Sequence, residues 1–430
     1  MFHKLIYLLG IQYYNPRIWS YYHYLKQSES WSRDQLISNQ IEKCRDFLVW
    51  AYEKTPYYRE LFDNSGFEPD KFKYIDDIKK IPITTKKDLL NKNDQIQIKS
   101  GMGKLFKTET SGTTGQILRF YRDRDWDAIH RATIFRGYSW FRVKPWYRHP
   151  FVGGFNIPPR KRKLYSVLDW LQNRYRIYDF SQSEVKKFIN GLNNSRYIEG
   201  YSAMVYELAR VINQRNLKFD ISFIKGTSDK IMDYYQDEII EAFGSSCINE
   251  YGAAETGIIA FECPERNMHI TMENVIVEQV DRKIIVTNFY SRSFPVIRYD
   301  LGDYIELASR DYKCSCGREH YILNEIGGRH FDLLYGKKEY YNAYLLYDIL
   351  KTLNKKFRKN FRYQLVQNRK GEIEFNFEND LTPRISSFLK QEFSSYFEED
   401  LDLILNDKVI FDRSSGKFNE FIGIRKEEKL

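Results

Sequence analysis

The chain has 430 residues, of which 42% are hydrophobic and 29% charged, so it is long enough for two or three domains and has the composition of a globular protein. Lys and Arg (67) outnumber Asp and Glu (58), but a net charge of +9 is too small and too dispersed to predict a nucleic-acid binder. The apolar stretch LIYLLGI at 5–11 is shorter than the ~20 residues that span a bilayer, and no small-residue cleavage site follows it. We therefore expect a cytoplasmic protein with at most weak membrane association.

Two segments near the N-terminus have patterns typical of helices. Apolar residues spaced three and four apart over 37–52 predict an amphipathic helix that ends near Pro56. Further along, Thr84 or Thr85 is placed to cap a short charged helix. The aromatic segment at 13–25 is expected to pack into the core, with weak association with a membrane surface as the alternative.

From residue 117 onward, strand-like and helical segments alternate, a pattern that predicts an α/β sheet. The expected strands are 117–122, 149–157 and the first part of 219–229, and the expected helices are 181–193, 202–216 and 230–244. We expect Ser181 or Ser183 to cap the first of these helices and Gly244 to end the last. The densest basic run, RKRK at 160–163, is expected to be a solvated loop, with an anion-binding or membrane-surface patch as the alternative.

After residue 270 the pattern becomes that of short alternating strands. Residues 273–289 predict a β-hairpin, and from about residue 330 the order is helix, hairpin, helix. This order predicts a small α+β domain at the C-terminus. We place the boundary at the glycine pair before Arg329, which gives a large domain at 1–328 and a small domain at 329–430.

A stretch of small polar residues precedes the strand predicted at 117–122. Residues 110–115, TSGTTG, combine hydroxyl groups, free backbone N–H groups and glycines that permit the close approach of a ligand. These are the components of a phosphate-binding loop, although the segment lacks the common G-x-x-x-x-G-K-[ST] pattern. From composition alone, a structural turn is the alternative.

Four further motifs follow, each of which is a weak signal by itself. INEYGAAETGII at 248–259 has a glutamate in a loop of small residues, and VIRYDLGDYIEL at 296–307 has an apolar strand that leads into charged residues around a glycine. IGGRHFDLL follows at 326–334, and DRSSGKFNEF at 412–421 places a lysine in a Ser-Gly loop. A helix cap, a surface residue or a turn would explain each of them alone.

In their order and spacing, the five motifs resemble those of the adenylate-forming superfamily of acyl-CoA synthetases and ligases. The similarity is greatest to the branch of phenylacetate–CoA ligases, coenzyme F390 synthetase-like proteins and proteins of capsular polysaccharide biosynthesis, and it covers nearly the whole chain. Residues 47–90 are similar to the N-terminal region of that branch, and KCSCGR at 313–318 is particular to it. The resemblance implies an α/β fold with a large N-terminal domain of the adenylate-forming type and a small, mobile α+β C-terminal domain.

The resemblance implies catalytic roles for three motifs. The 110–115 loop would wrap the β- and γ-phosphates of ATP, Glu255 would hold Mg²⁺, and Lys417 would be the catalytic lysine of the small domain. Attack of a carboxylate on the α-phosphate brings two anions together, so cations placed in advance would stabilise the transition state.

The remaining motifs would hold the nucleoside. Tyr251 would stack on the adenine beside the loop at 226–229, and Asp303 would accept hydrogen bonds from the ribose hydroxyls with help from Arg329. The residues implied to bind nucleotide are Thr110, Ser111, Gly112, Thr113, Thr114, Gly115, Thr227, Ser228, Asp229, Tyr251, Gly252, Asp303 and Arg329.

Two positions depart from the superfamily pattern. Ile117 and Leu118 stand where many members have Pro-Lys after the phosphate loop, as apolar residues also do in the resembling branch. Phe331 stands where the superfamily usually has a hinge aspartate, and Asp332 follows it. The resemblance therefore does not identify the hinge residue.

The function implied is that of an AMP-forming acid–thiol ligase that uses ATP, Mg²⁺ and coenzyme A. It would activate a small carboxylic acid as an acyl-adenylate and transfer the acyl group to coenzyme A, in the service of surface or capsular polysaccharide biosynthesis. Two alternatives remain open. The acyl group could pass to an amine or a sugar, or the protein could be a non-catalytic nucleotide-binding scaffold for polysaccharide assembly.

Three cysteines and a histidine form a candidate zinc site: Cys263, His269, Cys314 and Cys316. Thiolates and imidazole suit tetrahedral Zn²⁺, and a site closed by four protein ligands would be structural. The spacing is not the C-x-x-C of common zinc ribbons, so unpaired thiols in a core or turn are the alternative, although the resembling branch carries the same elements. Cys44 and Cys247 are expected to be packing residues.

Overall fold

The computed structural model describes residues 2–110, 117–153, 157, 159–178, 181–227, 231, 233–329, 333–359, 361–411 and 420–424. Most of the predicted phosphate loop, the predicted adenine loop after Thr227, and Lys417 lie outside the described residues. Within the described ranges, no helix is both long enough and apolar enough to cross a membrane.

The N-terminal part of the chain is a layer of helices. They are α1 (Phe2–Tyr14), α2 (Arg17–Ser28), α3 (Arg33–Lys54), α4 (Pro56–Ser65), α5 (Lys86–Asn91) and α6 (Asn93–Ile96), with 3₁₀ turns at Pro69–Lys71 and Ile75–Lys80. Helix α3 ends shortly before Pro56, as predicted, and of the two candidate caps it is Thr85 that caps α5. The predicted core packing of the aromatic segment is confirmed for α2, where Ile18 and Leu25 are fully buried and Trp19 packs against the core. It is wrong for Tyr13 of α1, which is 90% exposed.

A β-hairpin and a long helix lead from this layer into the sheets. Strands β1 (Phe106–Glu109) and β2 (Arg119–Arg122) pair antiparallel, and helix α7 (Arg124–Trp140) follows them. The Asp123 side chain caps α7 by accepting hydrogen bonds from the backbone N–H groups of Asp125 and Trp126. The strand predicted at 117–122 is therefore present as the second arm of this hairpin.

A five-stranded parallel sheet forms the centre of the molecule. Its strands are β3 (His149–Val152), β4 (Arg174–Ile177), β5 (Ile198–Tyr201), β6 (Ile224–Thr227) and β7 (Cys247–Ile248), in the order β4-β3-β5-β6-β7. The connecting helices are α8 (Pro159–Leu171), α9 (Gln182–Leu192), α10 (Ser202–Gln214) and α11 (Asp233–Phe243). Ser181 caps α9, and Gly244 follows α11 with a φ of +75°, as the sequence predicted.

The prediction of a solvated loop at 160–163 was wrong, because this basic run lies at the start of helix α8. Pro159 is the first residue of the helix, a position where its fixed φ suits the helix and its missing N–H loses no hydrogen bond. Lys, Arg and Leu, which dominate the next residues, are strong helix formers. The charge run therefore marks an exposed helical turn.

A second sheet of seven antiparallel strands follows the first. Its strands are β8 (Glu250–Ala253), β9 (Gly257–Glu262), β10 (Met268–Ile270), β11 (Val275–Val280), β12 (Lys283–Asn288), β13 (Val296–Leu307) and β14 (Ile322–Arg329), in the order β11-β12-β13-β14-β10-β9-β8. The predicted hairpin is β11–β12, in which Asp281 and Arg282 both have positive φ, as a two-residue turn of this kind requires. The core of this sheet includes buried residues of α3, among them Cys44.

The C-terminal part has the predicted order of helix, hairpin and helix. Its elements are β15 (Leu333–Tyr335), β16 (Tyr340–Asn342), α12 (Tyr344–Phe357), β17 (Tyr363–Val366), β18 (Glu372–Phe377), α13 (Pro383–Phe397), β19 (Asp402–Asn406) and β20 (Phe421–Ile422). It contacts the parallel-sheet helices through Arg362, which donates to Glu238 of α11 at 2.5 Å. The predicted domain boundary between residues 328 and 329 lies inside β14, which ends at Arg329. The division of the chain into two domains at this point stays a prediction.

Candidate active site

The base of the predicted phosphate loop is closed by its own hairpin. The Thr110 backbone N–H donates to the Leu118 carbonyl at 3.0 Å, and Thr110 Oγ1 accepts from the Leu118 N–H at 3.1 Å. Leu118 is fully buried. Its burial explains why an apolar residue stands at this position, where many members of the superfamily have the lysine of Pro-Lys. The other predicted loop residues, namely Ser111, Gly112, Thr113, Thr114 and Gly115, lie outside the described residues.

Residues from three motifs meet at the predicted nucleoside site. The Tyr251 hydroxyl donates to Asp303 Oδ2 at 2.8 Å, and both side chains are half-buried. Asp303 is also the register partner of Arg329 across β13 and β14. The sheet thus places an aromatic ring and a carboxylate, which the sequence separates widely, side by side.

Glu255 lies in the turn between β8 and β9 and is only 6% exposed. Its Oε1 accepts a hydrogen bond from the hydroxyl of the buried Tyr299 at 3.0 Å. The Arg122 guanidinium donates to the Ala254 carbonyl in the same turn. Burial lowers the pKa of Arg122 to about 10, and the carboxylates of Asp127 and Glu255 oppose that shift. The turn is therefore held from two sides, with a cation close to its carboxylate.

The missing side chain of Gly257 leaves room for about one methyl group beside this turn, and three nitrogen atoms border that space, which we call the Gly257 recess. Gly257 has a φ of +74°, and a Cβ built on it would lie 3.7 Å from both His130 Nδ1 and Trp126 Nε1 and 3.8 Å from Asn288 Nδ2. Asn288 donates to the Thr256 carbonyl, whereas the His130 and Trp126 atoms have no hydrogen-bond partner in the described part of the chain. Burial lowers the pKa of His130 well below its usual value, so its ring is neutral. An oxygen atom in the recess would meet an indole N–H donor and an imidazole nitrogen.

A buried charge cluster joins the parallel and the antiparallel sheet at Glu250, the residue before Tyr251. Lys225 of β6 has a side chain only 2% exposed, and its Nζ lies 3.1 Å from Glu199 of β5 and 3.1 Å from Glu250 of β8. Burial alone would raise the pKa of Glu199, but the adjacent Lys225 ammonium lowers it to about 2. Because a buried charge without its partner is strongly destabilising, this cluster fixes the strands that carry Thr227 and Tyr251.

Sequence analysis did not identify the recess or the charge cluster. Trp126 and His130 are four residues apart on α7, a spacing that places them on one helix face but is common in ordinary cores. Lys225 stands between Ile224 and Gly226 in a buried strand, and a lysine in such a strand is a signal that an ionic partner must lie nearby. Only the fold shows which partner that is.

The four residues of the predicted zinc site also come together. Their ligand atoms all lie within 4.8 Å of one another. Cys263 Sγ is 3.8 Å from Cys314 Sγ, and Cys316 Sγ is 3.2 Å from His269 Nε2. Two thiolates on one tetrahedral Zn²⁺, each at ~2.3 Å, would be about 3.8 Å apart. The cluster thus has the composition and size of a zinc site.

Neighbouring groups hold this cluster in place. The Asn267 side chain donates to Cys314 Sγ at 3.3 Å, and the Cys316 backbone N–H points to the same sulfur at 3.5 Å. Burial lowers the pKa of His269 to about 3, so the ring is neutral, as a metal ligand must be. The six residues of β9 separate Cys263 from the Glu255 turn by roughly 20 Å, which favours a structural role over a catalytic one. The packing role expected for Cys44 and Cys247 is confirmed, since both are fully buried.

No protein-family model matches the chain. The chain is 24% identical over 325 residues to protein CapK of Staphylococcus aureus, in an alignment that covers 71% of this chain and 70% of CapK. It is 21% identical over 336 residues to a phenylacetate–coenzyme A ligase of Thermus thermophilus, in an alignment that covers 72% of this chain and 74% of that ligase. Among solved structures, a 2-hydroxyisobutyryl-CoA ligase in the postadenylation state aligns with a TM-score of 0.71 and 15% identity over 94% of this chain and 92% of its own.

The α/β fold class that the motifs implied is confirmed, because the chain shares the fold of this CoA ligase over 94% of its length. The two relatives confirm the resemblance to the adenylate-forming superfamily. The similarity to a phenylacetate–coenzyme A ligase agrees with the branch of phenylacetate–CoA ligases that the motifs indicated. The protein is accordingly an adenylate-forming enzyme.

The roles of single residues within this class stay predictions. Thr227 lies half-buried at the carboxyl end of β6, whereas Ser228, Asp229 and Lys417 lie outside the described residues. Gly252 is exposed in β8, and a Cβ built on it would lie 2.2 Å from the Gly257 carbonyl oxygen. Only glycine therefore fits at this predicted nucleotide-binding position.

Proposed function

We propose that the protein activates a small carboxylic acid with Mg-ATP as an acyl-adenylate and transfers the acyl group to coenzyme A. The observation that carries this proposal is the convergence of two separate motifs, in which Tyr251 bonds Asp303 and Glu255 bonds Tyr299. Relatives named as phenylacetate–coenzyme A ligases support both half-reactions. CapK supports a role in capsular or other surface polysaccharide biosynthesis.

In the first half-reaction, a carboxylate oxygen attacks the α-phosphorus of ATP, the bond to the bridging oxygen breaks, and pyrophosphate leaves. Asp303 would accept hydrogen bonds from the ribose hydroxyls, and the Tyr251 ring would stack on the adenine. In the second half-reaction, the thiol sulfur attacks the acyl carbon, AMP leaves with the bonding electron pair, and the thiol proton passes to solvent.

The residues around Glu255 fit a magnesium ion. Tyr299 takes one carboxylate oxygen and leaves the other for a metal that prefers one or two carboxylates together with phosphate oxygens. When bound, Mg²⁺ would neutralise charge on the phosphates. The buried Tyr299 contact would keep the carboxylate from rotating away.

The test of this function is pyrophosphate release from ATP with a panel of carboxylic acids. The panel should contain pairs that differ by a single hydroxyl, because the Gly257 recess presents Trp126 Nε1 and His130 Nδ1 to an oxygen atom. We expect acid-dependent pyrophosphate release and, with coenzyme A added, a thioester and AMP. A product formed only with an amine or an amino sugar would identify the alternative acceptor. No pyrophosphate with any acid, despite measurable ATP binding, would favour the non-catalytic scaffold.

We also propose that Cys263, His269, Cys314 and Cys316 hold a structural Zn²⁺. Protein purified without added metal is expected to contain about one zinc per chain by elemental analysis. Cys316→Ser should lower both the zinc content and the melting temperature, since metal binding contributes to folding free energy, while ATP binding stays measurable.

The matched control for the zinc experiment is Ser315→Ala, which changes the exposed residue between the two cysteines and should leave the zinc content unchanged. Metal-free protein with the full melting temperature of the wild type would end the zinc proposal. It would leave the proposed enzymatic function untouched, because the cluster lies at the far end of β9.

A further inference from the structure

Exposed apolar side chains are concentrated on two adjoining helices. Eight of the eighteen large apolar residues that are exposed in the described chain lie on α1 and α8, and each of the eight is between 41% and 90% exposed: Phe2, Leu5, Leu9, Tyr13, Leu164, Val167, Leu168 and Trp170. The Trp170 ring joins the two helices, with its centroid 6.1 Å from that of Phe2 and 5.5 Å from that of His3. We call this surface the α1–α8 face.

The polarity of α8 is the reverse of that of an ordinary surface helix. Its only acidic residue, Asp169, is buried and bonds Arg174 at 2.6 Å and Arg176 at 3.0 Å, which ties the helix to β4. Its apolar residues Leu164, Val167 and Leu168 have the spacing of a single helix face, and that face is turned to solvent. A contiguous exposed apolar surface of this kind marks an interaction site.

Helix α1 continues the same face. Leu5, Leu9 and Tyr13 are four residues apart and therefore line one side of the helix, and no residue of α1 is buried. The helix also contains no acidic residue. Neither helix therefore presents a carboxylate next to its exposed apolar residues.

Cations flank the apolar residues. Arg160, Lys161 and Lys163 are exposed in the first turns of α8, where Arg160 and Lys161 stand four and three residues before Leu164. An apolar stripe bordered by Lys and Arg matches the boundary between the anionic headgroups and the acyl chains of a bilayer. A twofold dimer through this face would instead bring the cations of both copies into one interface, which is unfavourable.

We propose that the α1–α8 face docks the protein on the surface of an anionic phospholipid bilayer. The two helices would lie in the interface plane, with the leucines and Trp170 at the acyl-chain boundary and the lysines at the headgroups. This inference does not depend on the acid or on the acceptor of the enzyme.

The test is co-sedimentation of the full-length protein with phosphatidylcholine vesicles that contain or lack phosphatidylglycerol. We expect binding to the anionic vesicles that weakens as salt is added. The double substitution Leu164→Gln and Leu168→Gln should weaken it by about tenfold or more, because each exposed leucine would lose its place at the acyl-chain boundary. Lys161→Gln with Lys163→Gln should weaken binding by about 25-fold, from roughly fivefold per charge.

The matched control is Ile410→Gln, which makes the same kind of change at a residue that is 95% exposed elsewhere on the molecule. It should bind like the wild type, and melting curves of all variants should show that each is folded. Equal sedimentation with both lipids, or leucine variants that bind like the control, would overturn the proposal. So would a wild-type dimer in analytical ultracentrifugation that the leucine substitutions dissociate, since the face would then bind a second copy.

Discussion

Lys417→Ala is expected to slow adenylate formation from ATP and acid by ~10²–10⁴-fold, the range for loss of a positioned electrostatic group. The same variant is expected to convert a synthetic acyl-adenylate to the thioester at nearly the wild-type rate. The ammonium is needed where negative charge accumulates on the α-phosphate, and thiol attack on a finished adenylate develops no such charge. The two half-reactions are to be measured separately, by pyrophosphate release and by thioester formation.

The matched control is Lys390→Ala, which removes an exposed lysine from α13 of the same part of the chain and should leave both half-reactions unchanged. Equal loss in both half-reactions would contradict a small domain that moves between the steps, although it would leave the enzyme class intact. No loss in either would show that Lys417 is a surface lysine.

The resemblance to the adenylate-forming superfamily implies that the small domain rotates between the two half-reactions, and such a rotation would have a structural consequence. Any rotation of the C-terminal part relative to α11 must break the ion pair between Arg362 and Glu238, and it must also lift the Arg362 guanidinium from the Tyr206 ring, whose centroid lies 5.5 Å away. A half-buried ion pair with a stacked guanidinium would favour the present arrangement without locking it.

Glu255→Gln is expected to keep the fold and to weaken the use of Mg-ATP by at least ~10²-fold, as expected when one preorganised charge contact is lost. The fold should persist because the amide oxygen of glutamine can still accept the hydrogen bond of Tyr299. The measurement is the rate of pyrophosphate formation over a range of Mg²⁺ concentrations, with an acid known to react.

Tyr299→Phe separates the charge of Glu255 from its position. This variant keeps the carboxylate and removes the Tyr299 hydroxyl that donates to Oε1, so we expect a smaller loss than in Glu255→Gln. A wild-type rate of pyrophosphate formation in Glu255→Gln would remove Glu255 from the proposed magnesium site.

Much of the secondary structure was predictable because its signals are local. Ser181, Thr85 and Gly244 mark helix ends through their own side chains or backbone angles, and these signals act within a few residues. The basic run at 160–163 was misassigned because charge indicates exposure, which a loop and a solvent-facing helix share.

The order and spacing of the motifs also indicated which residues of the site would meet. The hydrogen bond between Tyr251 and Asp303 and the grouping of Cys263 with Cys314 join motifs that the sequence had already singled out. The side chains that surround Glu255 and Lys225 were not predictable. Tyr299 contacts Glu255, and Glu199 and Glu250 surround Lys225. All three look like ordinary strand residues until the pairing of the strands brings them next to their partners.

The sequence by itself determined the class of the protein, its α/β architecture and the candidate ligands for nucleotide and metal, because these depend on residue type, local geometry and order along the chain. The tertiary structure alone decided which polar groups are buried together and which apolar groups are left outside. The recess between Trp126, His130 and Gly257 and the solvent-facing leucines of α8 are both of this kind. Burial is a property of how elements pack, so a leucine or a histidine shows its environment only when the neighbouring helices and strands are in place.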